Sequence, residues 1–270
     1  SAYFGATILY DYFVKQCNNK NSLLLSDEIR IADELKLILN NELKNFSSKE
    51  TGIISKKPSK LPSTFAGILI TDTDNQNIKI TSLWAGDSRC YALTIDNGLE
   101  MCSVDDVKEQ DPMELLTADS PMTNYINAEG KFTINRKDFK FDKPVIFLTA
   151  TDGCFSYFSN PMYFEYVILK TLEESSNIDE WKSKLQSEIV KVSQDDATLS
   201  LCCFGWKEFS NLRETYAGKS QALYDQYIKS NEDNINEINR IKNELKNLEE
   251  KNKTSTENGL SEYIKNRFKK

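Results

Sequence analysis

The chain of 270 residues contains no histidine. The commonest general base and a common zinc ligand are therefore missing, and Ser-His-Asp and Cys-His catalysis are excluded within it. Its six cysteines, Cys17, Cys90, Cys102, Cys154, Cys202 and Cys203, form no C-x-x-C pair, which argues against a zinc ribbon or a thioredoxin-like site. Most sit in apolar runs, as Cys202-Cys203 does within Leu199–Phe204, and read as reduced core thiols of a cytoplasmic protein. No run approaches the roughly 18 apolar residues of a spanning helix, so no membrane association is expected. The start, Ser1-Ala2-Tyr3-Phe4-Gly5, has no basic n-region and no initiator Met, which suggests a trimmed chain. There is no cationic surplus either. Net charge is −7 and the pI is near 5.0, so no nucleic-acid partner is expected. Residues 207–270 carry 13 basic and 11 acidic side chains, and residues 1–206 carry 21 and 30, which puts the acidity in the body.

What is present is enough for a core: 39% hydrophobic and 11% aromatic residues. Phe4, Ile8, Leu9, Tyr12 and Phe13 share a helical face, and Ile31, Leu35, Ile38 and Leu39 mark a second helix over about Asp27–Lys44, capped by Ser26. A polar connection, Ser47–Pro62, follows. The period then changes to that of strands: Ser63–Thr71, Ile78–Ala85, Cys90–Ile95, Leu99–Val104, Pro144–Thr149 and Ala197–Phe204, the last two reading as buried. Asp96-Asn97-Gly98 is a turn that tolerates positive φ. Asp105–Leu116 is acidic with some helical character, and Phe164–Leu172 and Ile178–Val192 read as helices. From Lys207 the chain is almost wholly helical. Ile235, Ile238, Ile241, Leu245 and Leu248 hold an a/d-like register for about two heptads, Thr254–Gly259 reads as a break, and a final basic helix follows. Two domains are expected: 1–206, and a helical extension 207–270 forming a hairpin or short coiled coil.

Three acidic positions stand at strand ends. They are Asp87 in Gly86-Asp87-Ser88-Arg89, Asp152 in Thr149-Ala150-Thr151-Asp152-Gly153, and Asp195 in Asp195-Asp196-Ala197-Thr198. Rigid strands present functional groups at such loops. Hard oxygen donors without His or Cys suit Mg²⁺ or Mn²⁺, and Mg²⁺ needs only one or two carboxylates. Each taken singly reads more readily as a turn, a loop cap or a hairpin.

Their order carries a resemblance. Ser63-Thr64-Phe65-Ala66-Gly67 looks like the G-[ST]-T-A strand opening of the metal-dependent protein phosphatases (PPM, type 2C). Gly86-Asp87-Ser88-Arg89 matches that family's G-D-S-R hairpin. Leu148–Gly153 looks like its L-x-[ST]-x-D-G strand end, and Asp195–Thr198 resembles its D-[ND]-x-[TS] motif. The resemblance implies an α+β fold, an α-β-β-α four-layer sandwich of two antiparallel sheets flanked by helices, with a C-terminal helical extension. It also implies metal-dependent hydrolysis of phosphoserine and phosphothreonine in proteins, with two or three Mg²⁺ or Mn²⁺ ions. Asp152 and Asp195 fall on metal-ligating positions, acting through metal-bound water. Asp87 falls near an additional metal, and Asp196 ranks below Asp195. A flap is expected between Asp105 and Asp142, where Arg136 and Lys137 either greet a phosphoprotein or lie on a solvated strand edge.

The family's D-G-x-G-G-type motif, whose Asp bridges two metals, does not occur in these residues. The full-length form is expected to be the active phosphatase, and the 270 residues alone inactive. The alternative is a catalytically inactive phosphatase-like regulatory module, acting on a protein partner or by self-association through residues 207–270.

Overall fold

The computed structural model describes residues 7, 10–12, 14–15, 33–38, 40–41, 62–108, 121–127 and 132–268. The Ser26 cap, residues 47–61 of the polar connection, Cys17 and most of the acidic segment after Asp105 lie outside the described residues. Two compact units divide the chain, Ser1–Ala217 and Gly218–Lys270.

In the first unit seven strands form two antiparallel sheets. β1 (Phe65–Thr73), β2 (Asn77–Ala85) and β5 (Asn135–Asp142) make one, in the order β1-β2-β5. β3 (Arg89–Thr94), β4 (Gly98–Met101), β6 (Val145–Ala150) and β7 (Leu199–Phe204) make the other, in the order β4-β3-β6-β7. Local chemistry sets the turns. Asp74 Oδ1 accepts the backbone N–H groups of Gln76 and Asn77, closing the β1–β2 hairpin. Gly98, at φ +71°, closes the β3–β4 turn, and a Cβ there would come within 2.5 Å of Glu165 Oε1.

Alternation in β2 sends side chains to two different cores. Ile78 and Ile80 pack between the sheets with Cys90, Ala92, Val145 and Phe147. Leu83 and Ala85 face the other way, against Tyr12 and Leu35 from the helical residues near the start. Helices α1 (Pro161–Glu173) and α2 (Ile178–Val192) cover the second sheet. Phe164 of α1 meets Tyr91 of β3, with ring centroids 5.9 Å apart. The buried Trp181 of α2 donates its indole N–H to the Ile168 carbonyl and Thr171 Oγ1 of α1. Asn160 and Asn177 cap the two helices through side-chain oxygens. The expected α+β sandwich is the observed one. Helix α3 (Phe209–Thr215) belongs to the same unit, because the Tyr216 hydroxyl beyond its end donates to the Leu93 carbonyl at 3.0 Å.

Three local readings need correction. β5 falls inside the span read as a flap. Its eight residues include only Phe139 and Phe141 as large apolar groups, alternating with charge, the pattern of a strand at a sheet edge. β7 is also an edge strand and only partly buried. Cys202 is exposed there, whereas Cys90, Cys102 and Cys154 are core thiols.

The third correction concerns the second unit. Helix α4 (Lys219–Leu223), a π-helical turn over Tyr224–Ile228 and α5 (Lys229–Arg267) follow without interruption, so no hairpin forms over these residues. α5 passes through the expected break at 254–259. Thr254 and Thr256 return their hydroxyls to the carbonyls of Glu250 and Asn252, and one exposed glycine, Gly259, costs a helix only about 1 kcal/mol. No helix among the described residues is long and apolar enough to cross a membrane.

Candidate metal centre at the strand ends

The β3–β6 register pairs Arg89 with Ala150. The turn before β3, which carries Asp87, is thus set beside the turn after β6, which carries Asp152. The two carboxylates sense each other. Burial first, and the charge of Asp152 second, push the Asp87 carboxyl up to about 6.

Each carboxylate sits on a braced turn. Gly86 has φ +94°, and a Cβ there would come within 2.6 Å of Thr64 Cγ2. Its N–H donates to Asp106 Oδ2 at 3.0 Å, and its carbonyl accepts the Asp106 N–H at 3.0 Å. Ser88 and Thr64 share a hydroxyl–hydroxyl hydrogen bond of 2.8 Å. Asp106 also accepts from Asn124 Nδ2 and from Asn135 Nδ2. Arg89 donates Nε and NH2 to the Asp105 carboxylate, the shorter contact being 2.6 Å, and NH1 to the Tyr91 hydroxyl. Its guanidinium lies 4.1 Å from the centre of the Phe155 ring. The Arg89–Asp105 ion pair is bidentate and largely buried, with side chains 25% and 11% exposed.

Asp152 opens a single 3-10 turn, Asp152–Cys154, and its Oδ1 accepts the Gly153 N–H at 2.9 Å. This turn is stitched to the approach to β7. Thr151 N–H donates to the Thr198 carbonyl at 3.0 Å, and Thr198 N–H donates to Thr151 Oγ1 at 2.9 Å. A Cβ on Gly153 would come within 2.5 Å of the Asp196 carbonyl oxygen. Gly153→Ala must therefore move one strand end against the other. The expected loss is about 1–3 kcal/mol, read as a lower denaturation midpoint in urea.

Asp195 lies on that approach, exposed. Its Oδ1 accepts the Asp196 N–H at 2.7 Å, and its carbonyl accepts the Ser193 hydroxyl. The three predicted aspartates thus occupy adjoining strand ends, with direct electrostatic coupling between Asp87 and Asp152. Among the described residues no three acidic or cysteine side chains gather into a group able to hold a metal. The Asp87–Asp152 pair nonetheless fits a divalent cation. It is a hard-oxygen pair, with Asp87 half-buried and Arg89 as a neighbouring cation. A Mg²⁺-like ion that keeps most of its waters needs no more than this. Three converging carboxylates, as expected from the sequence, are not assembled by these residues.

A charged Asp87 costs stability in the metal-free protein. Its folded pKa lies above the ordinary value, so its neutral form is favoured at low pH, and that advantage is lost as pH rises from about 4 through 6. Asp87→Asn is therefore expected to raise the melting temperature at pH 7.5 without metal, with the gain vanishing below pH 4. Equal melting temperatures at pH 7.5 would contradict the burial of this charge.

Asp105 and Asp106 were read from sequence as the acidic start of a flap, and their bracing role was missed. The signal was their spacing from the G-D-S-R turn, which means nothing until β3 and β4 fold back as a hairpin. Beside the strand ends, a largely apolar cleft of about 540 Å³ opens between α2 and β7, lined by Trp181, Leu185, Ile189, Cys154 and Thr198.

No family model matches the sequence, and no curated protein matches it. Solved structures do. The catalytic domain of the serine/threonine protein phosphatase PstP, in complex with two manganese ions, superposes with a TM-score of 0.50 at 14% identity, over 74% of this chain and 79% of that one. The Mycobacterium tuberculosis phosphatase PstP/Ppp gives 0.48 at 15% identity, over 74% and 80%. Stp1 from Staphylococcus aureus gives 0.44 at 17%, over 66% and 68%. The class defined is a two-sheet α+β sandwich with helices on its faces. More particularly, the chain has the fold of the PPM-type serine/threonine phosphatases, and at these identities the likeness is one of fold.

Proposed function

We propose that the protein, in its full-length form, is a metal-dependent phosphatase of phosphoserine and phosphothreonine in proteins. The observation that carries the reading is the β3–β6 register, which sets the Asp87 turn beside the Asp152 turn in a PPM-type sandwich. The two would hold Mg²⁺ or Mn²⁺, with Asp195 adding its carboxylate from the adjoining strand approach. A divalent cation there supplies an acidified water and a counter-charge for the phosphoryl oxygens.

The chain's own residues fix the geometry. Gly86 and Gly153 allow the close approaches that put the carboxylates on adjoining turns. Asp106 clamps the Asp87 turn to Asn124 and Asn135. Arg89 is committed to Asp105, Tyr91 and Phe155, so it braces the turn and is not a free phosphate-binding cation. These 270 residues contribute no imidazole. The test is hydrolysis of an aryl phosphate by the full-length protein with Mn²⁺, stopped by a chelator and lost in Asp152→Asn and Asp195→Asn. Activity that survives both substitutions removes the assigned roles.

The second reading, a phosphatase-like binding module without chemistry, is favoured by the lack of a three-carboxylate group among the described residues. Under it, the chain and its full-length form bind no Mn²⁺ at micromolar concentration.

A further inference from the structure

Helix α5 is 39 residues long, roughly 58 Å at the usual rise, and none of its residues is buried. A free helix of that length owes its persistence to a partner or to many side-chain pairs, because propensity alone is marginal. α5 has a few intrahelical pairs, Arg240 with Glu237 and with Glu244. It also has an apolar stripe. Ile235, Ile238, Ile241, Leu245 and Leu248 are 38–60% exposed, and Leu260 and Tyr263 resume the stripe after a polar interval.

We propose that this stripe pairs with its own counterpart on a second copy of the chain, making the protein a dimer through α5. Three features select a second copy. First, the helix carries eight basic and eight acidic side chains over 229–267, so two copies meet with no net charge repulsion. Second, the residues flanking the seam are self-complementary. With Ile238 and Leu245 at a, and Ile241 and Leu248 at d, Glu237 takes a g position and Lys242 an e position. Glu237 then meets Lys251 of a copy running the opposite way, twice by symmetry against a single Glu244–Glu244 contact, whereas a copy running the same way would offset Glu237–Lys242 with Glu244 against Glu249, so the opposite direction is favoured. Third, Asn231 and Asn252 occupy a positions on either side of the apolar layers. Asparagines there can hydrogen-bond across a pair of helices, at a cost in stability, and they limit register slip. The area suffices for a modest dimer: five half-exposed side chains from each copy bring together roughly 1,000 Å², near the lower bound for a specific interface.

The test uses the whole chain. Sedimentation equilibrium from 1 to 200 µM is expected to show a monomer–dimer equilibrium. Ile241→Glu with Leu245→Glu is expected to raise the dissociation constant at least 100-fold, leaving the near-ultraviolet signal of the β-sandwich unchanged. Asn252→Leu extends the apolar seam and is expected to lower the constant about tenfold. A wild-type chain monomeric at 200 µM overturns the proposal. So does a dimer indifferent to the glutamate pair, or an Asn252→Leu chain no tighter than wild type.

Discussion

Replacing Asp152 with Asn in the full-length protein is expected to remove at least 99% of its Mn²⁺-dependent aryl-phosphate hydrolysis. Even residues that only orient a metal ligand cost about 10–100-fold in affinity or activity when changed, and a ligand carboxylate costs more. The substitution keeps shape and removes charge. The Gly153 N–H still finds an oxygen acceptor, so the 3-10 turn after β6 is preserved. Loss of activity with an unchanged melting curve would place the effect on the cation. Loss of activity with a collapsed melting curve would place it on the turn. The metal-free Asp152→Asn protein is also expected to show Asp87 titrating closer to the ordinary carboxylate range, because the neighbouring charge that raises it is gone.

The second large effect is structural. Asp105→Ala leaves the Arg89 guanidinium, itself mostly enclosed, without its bidentate partner. Removing one member of a largely buried pair costs about 3–5 kcal/mol, because the other charge stays desolvated. Arg89 would keep the Tyr91 hydroxyl, the Phe155 ring and the neighbouring Asp87 carboxyl, none of them a bidentate partner. The measurement is urea denaturation of wild type, Asp105→Ala, Arg89→Met and the double variant. The double variant is expected to be less destabilised than the sum of the singles, since it leaves no orphaned charge. Strict additivity would mean the pair is solvated and its bracing of the Asp87 turn is weak. A loss below 1 kcal/mol for Asp105→Ala would mean the same.

Strand-forming runs and their polar turns were legible in the sequence wherever burial alternates or is complete. Ile178–Val192 has the bounds read from its periodicity, and β2, β3 and β6 differ from theirs by a residue or two at an end. The solvated strand edge considered for Arg136 and Lys137 is what forms, but β5 as a whole was read as flap, because an edge strand facing water on one side can be built from Lys, Arg and Asp around two phenylalanines. The burial of β7 was overread for a related reason. Its apolar run Leu199–Phe204 looks like a central strand, but only β6 pairs with it. The placing of Asp87, Asp152 and Asp195 at or near adjoining strand ends was legible through the motifs around them. Their supports were not, since Asp106 reaches Gly86, Asn124 and Asn135 only once the β3–β4 hairpin and the bridge segments have closed. The continuity of α5 through Gly259 was missed because a Thr-Ser-Thr-Glu-Asn-Gly stretch has poor helix propensity. Summed over six residues that penalty is small beside the long helical run on both sides.

Calorimetric titration of the metal-free chain with Mn²⁺ at pH 7.5 is the most direct test of the strand-end centre. One site of micromolar to millimolar affinity is expected, weakened at least tenfold by Asp87→Asn and by Asp152→Asn, and weakened as pH falls below 6. Absence of heat up to 10 mM Mn²⁺, or binding that both variants retain unchanged, would contradict the account.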